Sequence, residues 1–159
     1  MNTGPRAPAR AAVPSGADPA WRLRALFALL VLLWVGGSLL WAVVSRHGVN
    51  HDTAKYWEWS RHLALGYYTK PPLIAYIIAL ATGIAGAHEW VLKATAVLMH
   101  AGTLTVFFLF VRRITRSERA AVLAVVFSVC MPESWLAPTL LLTDRPLAFC
   151  WVLAMYAFH

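Results

Sequence analysis

Long apolar stretches alternate with short polar ones along this chain, and the pattern predicts membrane-spanning helices. Complete spans are predicted over about residues 25–45, 90–111 and 120–142. Each has roughly 20 residues, the length that crosses a hydrocarbon core about 30 Å thick. A fourth apolar stretch, 146–159, is shorter than a span needs, so it is predicted to be an incomplete one.

The composition agrees with a membrane protein. Hydrophobic residues make up 60% of the 159 residues and charged residues 13%, whereas soluble domains have about 45–50% apolar and about 25% charged residues. We therefore predict an all-α, polytopic integral membrane protein, surrounded by membrane lipids. The formal net charge is +7, but the basic residues are divided between a tail and short loops. No basic face remains for a nucleic acid, so none is predicted as a partner.

The arginines predict how the chain is oriented. Residues 1–20 are rich in Pro, Ala and Gly without apolar periodicity, which predicts a disordered tail. Cytoplasmic segments are enriched in Arg and Lys, and arginines lie both before the first span and after 90–111. They are Arg6, Arg10, Arg22 and Arg24, and then Arg112, Arg113, Arg116 and Arg119. The tail and the 112–119 loop are therefore predicted to be cytoplasmic, in a bacterial inner (plasma) membrane.

The apolar segment 71–87 is ambiguous. It is at the lower limit for a span and begins with two prolines. If it crossed the membrane, the arginine-rich loop would lie outside, against the rule. We therefore predict that it lies in the interface or re-enters, within an outer loop of residues 46–89, although a spanning segment remains an alternative. Before it, 54–65 has the pattern of an interfacial amphipathic helix, on which Glu58 would form a weak surface pair with Arg61 or His62.

The topology places two carboxylates, Asp52 and Asp144, in the two outer connections. Paired carboxylates suit acid–base chemistry or a divalent metal ion with oxygen ligands. The alternative is helix capping, since each lies near a predicted helix start. Lys70 lies directly before Pro71-Pro72, which fix the backbone. Its charge suits a lipid phosphate, either as a specific ligand or as a head-group anchor.

Polar residues inside the predicted spans suggest a function within the membrane instead of on its outer face. Glu133 lies in the middle of 120–142, and intramembrane carboxylates are often functional; the alternative is a hydrogen bond that holds a kink at Pro132. His100, one span earlier, is predicted to pair with Glu133, while Lys93 can extend towards the surface. These residues suggest a transporter or channel component that uses Glu133.

Four short motifs follow one another between residues 52 and 144. They are Asp52 with Tyr56-Trp57, Gly66-Tyr67 with Lys70-Pro71-Pro72-Leu73, Glu89-Trp90 with Lys93, and Thr143-Asp144. In this order and spacing they resemble GT-C-type membrane glycosyltransferases that take a sugar from a polyprenyl phosphate. This group contains the dolichyl-phosphate-mannose protein mannosyltransferase-like proteins and the lipid A aminoarabinose transferases. The resemblance covers about residues 21–159, as the N-terminal portion of such an enzyme.

The resemblance implies roles for individual residues. Asp52 would be the principal catalytic carboxylate, which activates the acceptor hydroxyl or helps to hold a divalent metal ion, and Asp144 the second acidic residue. Lys70 and Tyr67 would bind the donor phosphate. Four more charged residues are candidates for supporting roles: Glu58, Glu89, Lys93 and Glu133. Thr53 departs from the family pattern, because Glu is usual at its position.

The implied reaction transfers a sugar from a polyprenyl-phosphate-linked donor to a hydroxyl group on the outer face of the membrane. The acceptor would be a protein, a lipid or a glycan. Because these enzymes have more membrane helices than this chain, a truncated enzyme or an inactive membrane fragment is also considered. Cys130 and Cys150 lie within apolar stretches and are predicted to be packing residues.

Overall fold

The computed structural model describes residues 20–44, 48–136 and 138–159. These residues form seven helices and no strand, which confirms the predicted all-α class. The helices are α1 (Ala20–Val44), α2 (His51–Arg61), α3 (Leu73–Ala85), α4 (Glu89–Thr115), α5 (Glu118–Cys130), α6 (Pro132–Leu136) and α7 (Asp144–Phe158). Residues 1–19 of the predicted tail lie outside the described residues.

Two of the described helices, α1 and α4, are long and apolar enough to cross a membrane. They have 25 and 27 residues. At a rise of about 1.5 Å per residue, both exceed a hydrocarbon core about 30 Å thick. They correspond to the predicted spans 25–45 and 90–111, and α4 extends past its predicted span at both ends.

The predicted continuous span over 120–142 is interrupted. The helix α5 ends at Cys130, and Met131 adopts an extended conformation with φ −65° and ψ 140°. Contact with the proline ring disfavours the α region for the residue before it, and here the helix ends before Pro132, which starts the short α6. Residues 138–143 are not helical, and this 138–143 segment leads directly into α7.

The ambiguous segment 71–87 contains the 13-residue helix α3. A helix of this length measures about 20 Å, less than the hydrocarbon core. The helix packs against both α2 and α4. These dimensions favour an interfacial or re-entrant position, which stays a prediction. The helix α2 begins and ends a few residues earlier than the predicted amphipathic stretch 54–65.

Two hydrophobic clusters follow each other along α4. The first, which we call the α2–α3 cluster, consists of Tyr56, Ile74, Ile78, Leu92, Ala96 and Leu141. The second, the α1–α5 cluster, consists of Leu104, Phe108, Ala121, Val122 and Val125. Because α4 contributes residues 92–96 to the first and 104–108 to the second, the helix connects the two.

The helix α7 runs beside the C-terminal half of α4 in the same direction. Near the start of α7, Arg145 contacts His100 in the middle of α4. Near its end, the main-chain oxygen of Tyr156 accepts a hydrogen bond from Arg113 Nη1 at 3.2 Å. The start of α7 therefore lies between the levels of the two clusters.

Three helix ends meet where the arginines are concentrated, a region we call the arginine end. Arg24 of α1 donates to Glu118 Oε1 of α5 through Nε at 3.0 Å and Nη2 at 2.7 Å. Arg112 Nη1 of α4 lies 3.6 Å from the same oxygen. Ser117 caps α5, because its Oγ accepts a hydrogen bond from Ala120 N. The helices α2 and α3 pack at the opposite end, which we call the cavity end.

Candidate active site

At the cavity end, a cavity of about 280 Å³ lies where the start of α3 meets the start of α7. Its lining is mostly apolar and includes two charged residues. The lining residues are Lys70, Pro71, Leu73, Ile74, Thr143, Asp144, Pro146, Leu147 and Cys150. The fold therefore brings together Lys70 and Asp144, two of the residues predicted from the sequence. We call this space the Lys70–Asp144 cavity.

Lys70 is exposed at the end of the loop before α3. The prolines after it have no N–H to donate, and the helix begins at Leu73, with Pro72 as the N-cap residue. Among the residues that the structure describes, Lys70 has no ion pair or hydrogen bond. Its ammonium group is thus available to an anion in the cavity.

Asp144 is the first residue of α7 and is exposed. The N-cap residue Thr143 makes no side-chain capping hydrogen bond. The carboxylate lies in the first helical turn, where the helix dipole favours a negative charge. It acts electrostatically on the neighbouring Arg145, yet within the described ranges it has no ion pair within 4 Å. Asp144 therefore presents a carboxylate to the Lys70–Asp144 cavity.

The structure does not place Asp52 among the lining residues of this cavity. Asp52 lies in the first turn of α2, with its side chain 57% exposed and its Oδ1 3.9 Å from His51 Nδ1. The next residue, Thr53, is buried and its Oγ1 donates a hydrogen bond to the main-chain oxygen of Leu141 at 3.2 Å. This bond attaches the start of α2 to the 138–143 segment, so Asp52 and Asp144 lie at the same end of the molecule.

Tyr67, predicted to bind the donor phosphate, has its hydroxyl group occupied by the main chain. Its Oη donates to the oxygens of Trp59 or His62, at 2.9 and 3.0 Å, and accepts from Ala64 N at 3.3 Å. Its ring stacks on the Trp59 ring with centroids 4.5 Å apart. Tyr67 therefore folds the loop between α2 and Lys70, a role that sequence reasoning did not find.

Among the supporting candidates, Glu58 is exposed, and the predicted surface pair is not formed. The Arg61 guanidinium instead lies over the Trp57 ring, 5.3 Å from its centroid. The other two outer candidates, Glu89 and Lys93, form an ion pair at 2.6 Å along α4.

The Glu89–Lys93 pair connects two helices outside the Lys70–Asp144 cavity. Lys93 Nζ also donates to the main-chain oxygen of Ala42 in α1 at 3.4 Å. This contact joins the end of α1 to the start of α4, and both charged residues line a separate crevice between these helices. Their position indicates that they support the helix arrangement.

The predicted pair between His100 and Glu133 is wrong. His100 Nδ1 lies 2.7 Å from Arg145 Nη1, and its ring contacts the ring of Trp34 with centroids 4.6 Å apart. Glu133 is exposed in the first turn of α6 and acts electrostatically on Arg145. His100 is thus paired with an arginine, and Glu133 follows the helix break at Pro132, in the short helix α6.

The described residues do not form a metal site by themselves. No group of three or more His, Cys, Asp or Glu side chains in the described ranges could hold a metal ion. Asp52 and Asp144 do not line a common cavity, and two separate carboxylates are a sparse set for a divalent ion that prefers six or more oxygens. We therefore assign no step to a metal ion.

The matched part of the chain contains the whole Lys70–Asp144 cavity. A family model described as dolichyl-phosphate-mannose-protein mannosyltransferase matches residues 69–159. The chain belongs to this mannosyltransferase family. A lipid A galacturonosyltransferase of Rhizobium johnstonii is 31% identical to it over 133 residues. That alignment covers 80% of this chain and 28% of the relative, so the chain spans little more than a quarter of the relative's length. No solved structure matches the chain.

Family membership confirms the resemblance that the four motifs predict. One residue of this mannosyltransferase-family chain was not singled out from the sequence. Arg145 is buried and reaches His100, whereas next to Asp144 it appears in the sequence only as a neighbouring opposite charge. The sequence feature that could have identified Arg145 is its position between Asp144 and Pro146, at the start of an apolar stretch where a charged residue is unusual.

Proposed function

We propose that this protein works as a GT-C-type membrane glycosyltransferase whose Lys70–Asp144 cavity holds a polyprenyl-phosphate-linked sugar. The observation that carries the proposal is the chemistry of the cavity lining. A cation and a carboxylate stand at the edge of a mostly apolar surface, and the donor has a phosphate, a sugar and an apolar chain. The family match over residues 69–159 supports this assignment.

Lys70 is suited to the phosphate of the donor. In the transfer, the bond between the sugar C1 and the phosphate oxygen breaks, and a new bond forms between C1 and the acceptor oxygen. The leaving polyprenyl phosphate gains negative charge as its bond breaks, and a fixed cation stabilises that charge. The Lys70 ammonium has no partner within the described residues, so it can supply this charge. The apolar lining formed by Ile74 and Leu147 would contact the first isoprene units.

The two carboxylates are assigned different roles. Asp144 lines the cavity, so we assign it to the donor, where it accepts hydrogen bonds from sugar hydroxyl groups. Asp52 lies at the same end on α2, outside the cavity and half exposed. We assign it to the acceptor, whose hydroxyl proton it would take as general base. Its contact with His51 at 3.9 Å is exposed and weak, so the carboxylate stays available.

The transporter hypothesis is not favoured by the contacts. It rests on Glu133, which lies in the five-residue helix α6 and not in a long span. Its two other polar residues are engaged within the bundle, since His100 contacts Arg145 and Trp34, and Lys93 contacts Glu89.

Cys150 offers a direct test of the donor site, because it lines the cavity. We would measure alkylation of Cys150 by a membrane-permeant maleimide, with the complete encoded protein in lipid nanodiscs. Undecaprenyl phosphate should slow this reaction severalfold. Cys130 is the internal control, since it is also exposed but lies at the end of α5, outside the cavity. Equal rates at Cys150 with and without the lipid would contradict the proposal.

We also propose that the cavity end faces the outside of a bacterial inner membrane, with several helices crossing it. The support is the concentration of arginines at the opposite end, since such residues favour the cytoplasm. Single cysteines would be introduced by Arg116→Cys at the arginine end and Tyr68→Cys in the exposed loop near Lys70, with the native cysteines replaced by alanine. An impermeant maleimide should label only the second variant in intact cells and both in permeabilised cells. Labelling of only the first in intact cells would reverse the orientation.

A further inference from the structure

The guanidinium of Arg145 lies deep in the bundle. Arg145 is only 6% exposed, and its Nη1 lies 2.7 Å from His100 Nδ1. His100 follows Glu89, the first residue of α4, by eleven residues, which is about 16 Å along the helix. The contact therefore lies within the length of a candidate membrane span. A charged side chain at such a depth is costly and usually has a function.

The chemistry of this contact fixes the state of the imidazole. A guanidinium group only donates hydrogen bonds, so His100 Nδ1 must accept, and the ring proton is on Nε2. Within the described part of the chain, Nε2 is buried and has no hydrogen-bond partner. A buried nitrogen without a hydrogen-bond partner is costly, and an apolar side chain could fill the same space without that cost. The contact with Arg145 gives the histidine its polar role.

The surroundings hold this pair in one place. The ring of Trp34 in α1 packs against His100, and Trp34 Nε1 donates a hydrogen bond to the main-chain oxygen of Ser134 at 3.3 Å. Both Trp34 and Ser134 are buried. The Arg145–His100 pair between α4 and α7 is thus enclosed by α1 and α6. The packing holds the His100 ring in one position, and Arg145 contacts it there.

Adjacent residues of a helix point about 100° apart, so fixing one side chain also fixes the direction of its neighbour. Arg145 points inward to His100, while Asp144 is exposed and lines the cavity. On the other side of the turn, the Thr53 hydrogen bond holds Leu141. We propose that Arg145 is a positioning residue, which anchors the first turn of α7 to His100 and so directs Asp144 towards the donor sugar. This inference rests on the proposed function of the Lys70–Asp144 cavity.

A direct role for Arg145 in binding the donor is the competing explanation, because guanidinium groups bind phosphates well. Arg145 is not among the residues that line the cavity, and it is nearly completely buried. Lys70, in contrast, is exposed and lines it. The geometry therefore assigns the phosphate to Lys70 and the orientation of Asp144 to Arg145.

The test measures transfer kinetics with the complete encoded protein in nanodiscs, with synthetic polyprenyl-phosphate sugars as donors. A misplaced catalytic group can cost roughly 10- to 100-fold, so Arg145→Gln should raise the donor KM by a factor in this range and leave the acceptor KM unchanged. Arg145→Lys keeps a cation that can donate a hydrogen bond to His100 Nδ1, so it should restore much of the loss. A merely structural role would instead lower the amount of folded enzyme without changing the donor KM.

Arg113→Gln is a matched control. Arg113 also connects α4 to α7, through the Tyr156 oxygen and ring, but at the arginine end. It should leave the donor KM unchanged, and an equal rise in the two variants would overturn the proposal. If Arg145→Gln fails to accumulate, the KM of Arg145→Lys carries the test, since loss of the planar fork should still raise it severalfold over the wild-type value. An unchanged KM in that variant would also overturn the proposal.

The double variant separates positioning from direct binding. Because Arg145 acts through Asp144, adding Arg145→Gln to Asp144→Asn should raise the donor KM no further. A further rise of the same factor would show that Arg145 contacts the donor and would overturn the positioning role. Cys150 alkylation without donor supplies a readout independent of the reaction: Arg145→Gln should change its rate relative to Cys130 even if the protein proved not to be a glycosyltransferase. An unchanged alkylation rate would contradict the anchoring role of Arg145 itself. Lys70 and Asp144 variants with wild-type transfer rates would contradict only the proposed function.

Discussion

The charged residues around Glu118 at the arginine end and those of the Lys70–Asp144 cavity are arranged in opposite ways. At the arginine end, Glu118 accepts two hydrogen bonds from Arg24 and lies near Arg112, so the charges join three helices. At the cavity end, Lys70 and Asp144 stand beside an apolar lining, and neither has an ion pair with another described residue. Charges that pair with each other stabilise a fold, while charges without such partners are available to a ligand. The contrast supports the proposal that the cavity end carries the chemistry.

The largest expected effect follows from removing the cavity cation. Lys70→Ala should lower the rate of sugar transfer by roughly 10²- to 10³-fold, the usual cost of losing one group that stabilises charge in the transition state. The midpoint of thermal unfolding should not change, because Lys70 is exposed. Lys55→Ala is the control, since Lys55 is an exposed lysine on the neighbouring helix α2, over the Trp59 ring. Comparable rate losses in the two variants would contradict a specific role for the cavity lysine in sugar transfer.

An intermediate effect, on stability instead of rate, is expected at the arginine end. Glu118→Gln removes the charge that Arg24 and Arg112 share, and it should lower the free energy of unfolding by roughly 1–3 kcal/mol. Transfer per folded molecule should stay at the wild-type rate. Thermal unfolding in detergent and a transfer assay measure both quantities. Glu58→Gln, at an exposed glutamate of the cavity end, should change stability by less than about 0.5 kcal/mol. A loss of transfer rate in Glu118→Gln with unchanged stability would instead place the arginine end in the reaction.

The smallest effect is expected at Thr53, which connects α2 to the segment before Asp144. Thr53→Val removes the hydrogen bond to the Leu141 oxygen and leaves that acceptor unsatisfied, at a cost of about 1 kcal/mol. Thr53→Ser keeps the hydroxyl group and should be close to the wild type in thermal unfolding. Thr53→Glu, the residue usual in the family, should destabilise more than valine, because the site is buried. A stabilised glutamate variant would show that the site can open to accept a carboxylate.

The long helices could be predicted from the sequence because their apolar length alone determines them. This holds for α1 and α4. The stretch 120–142 could not, since a single proline at 132 ends the helix locally while the apolar composition continues around it. The length of α3 likewise depends on its two starting prolines and on Gly86, which ends it with a φ of 84°.

The candidate site could be predicted only in part, because helix order is readable from the sequence and side-chain packing is not. The predicted topology brings Asp144 to the same face as Asp52, in whose outer loop Lys70 also lies. That one cavity is lined by Lys70 and Asp144 and not by Asp52 follows only from how the helix starts pack. The partners of Tyr67, His100 and Arg145 depend on how side chains turn within the packed bundle, and no spacing in the sequence encodes this. Thr53 appears in the sequence as a missing carboxylate, whereas the fold uses it as a hydrogen-bond donor.

The unequal heights of α4 and α7 at the cavity end also affect how a ligand would arrive. Because α7 begins beside His100, eleven residues after the first residue of α4, the α7 residues that line the cavity lie beside the middle of α4 and not beside its first turn. A donor with a long apolar tail moves within one leaflet of a bilayer. If the proposed function holds, such a donor would reach the cavity by a two-dimensional search and could place its head group on Lys70 while the tail remains among the lipids.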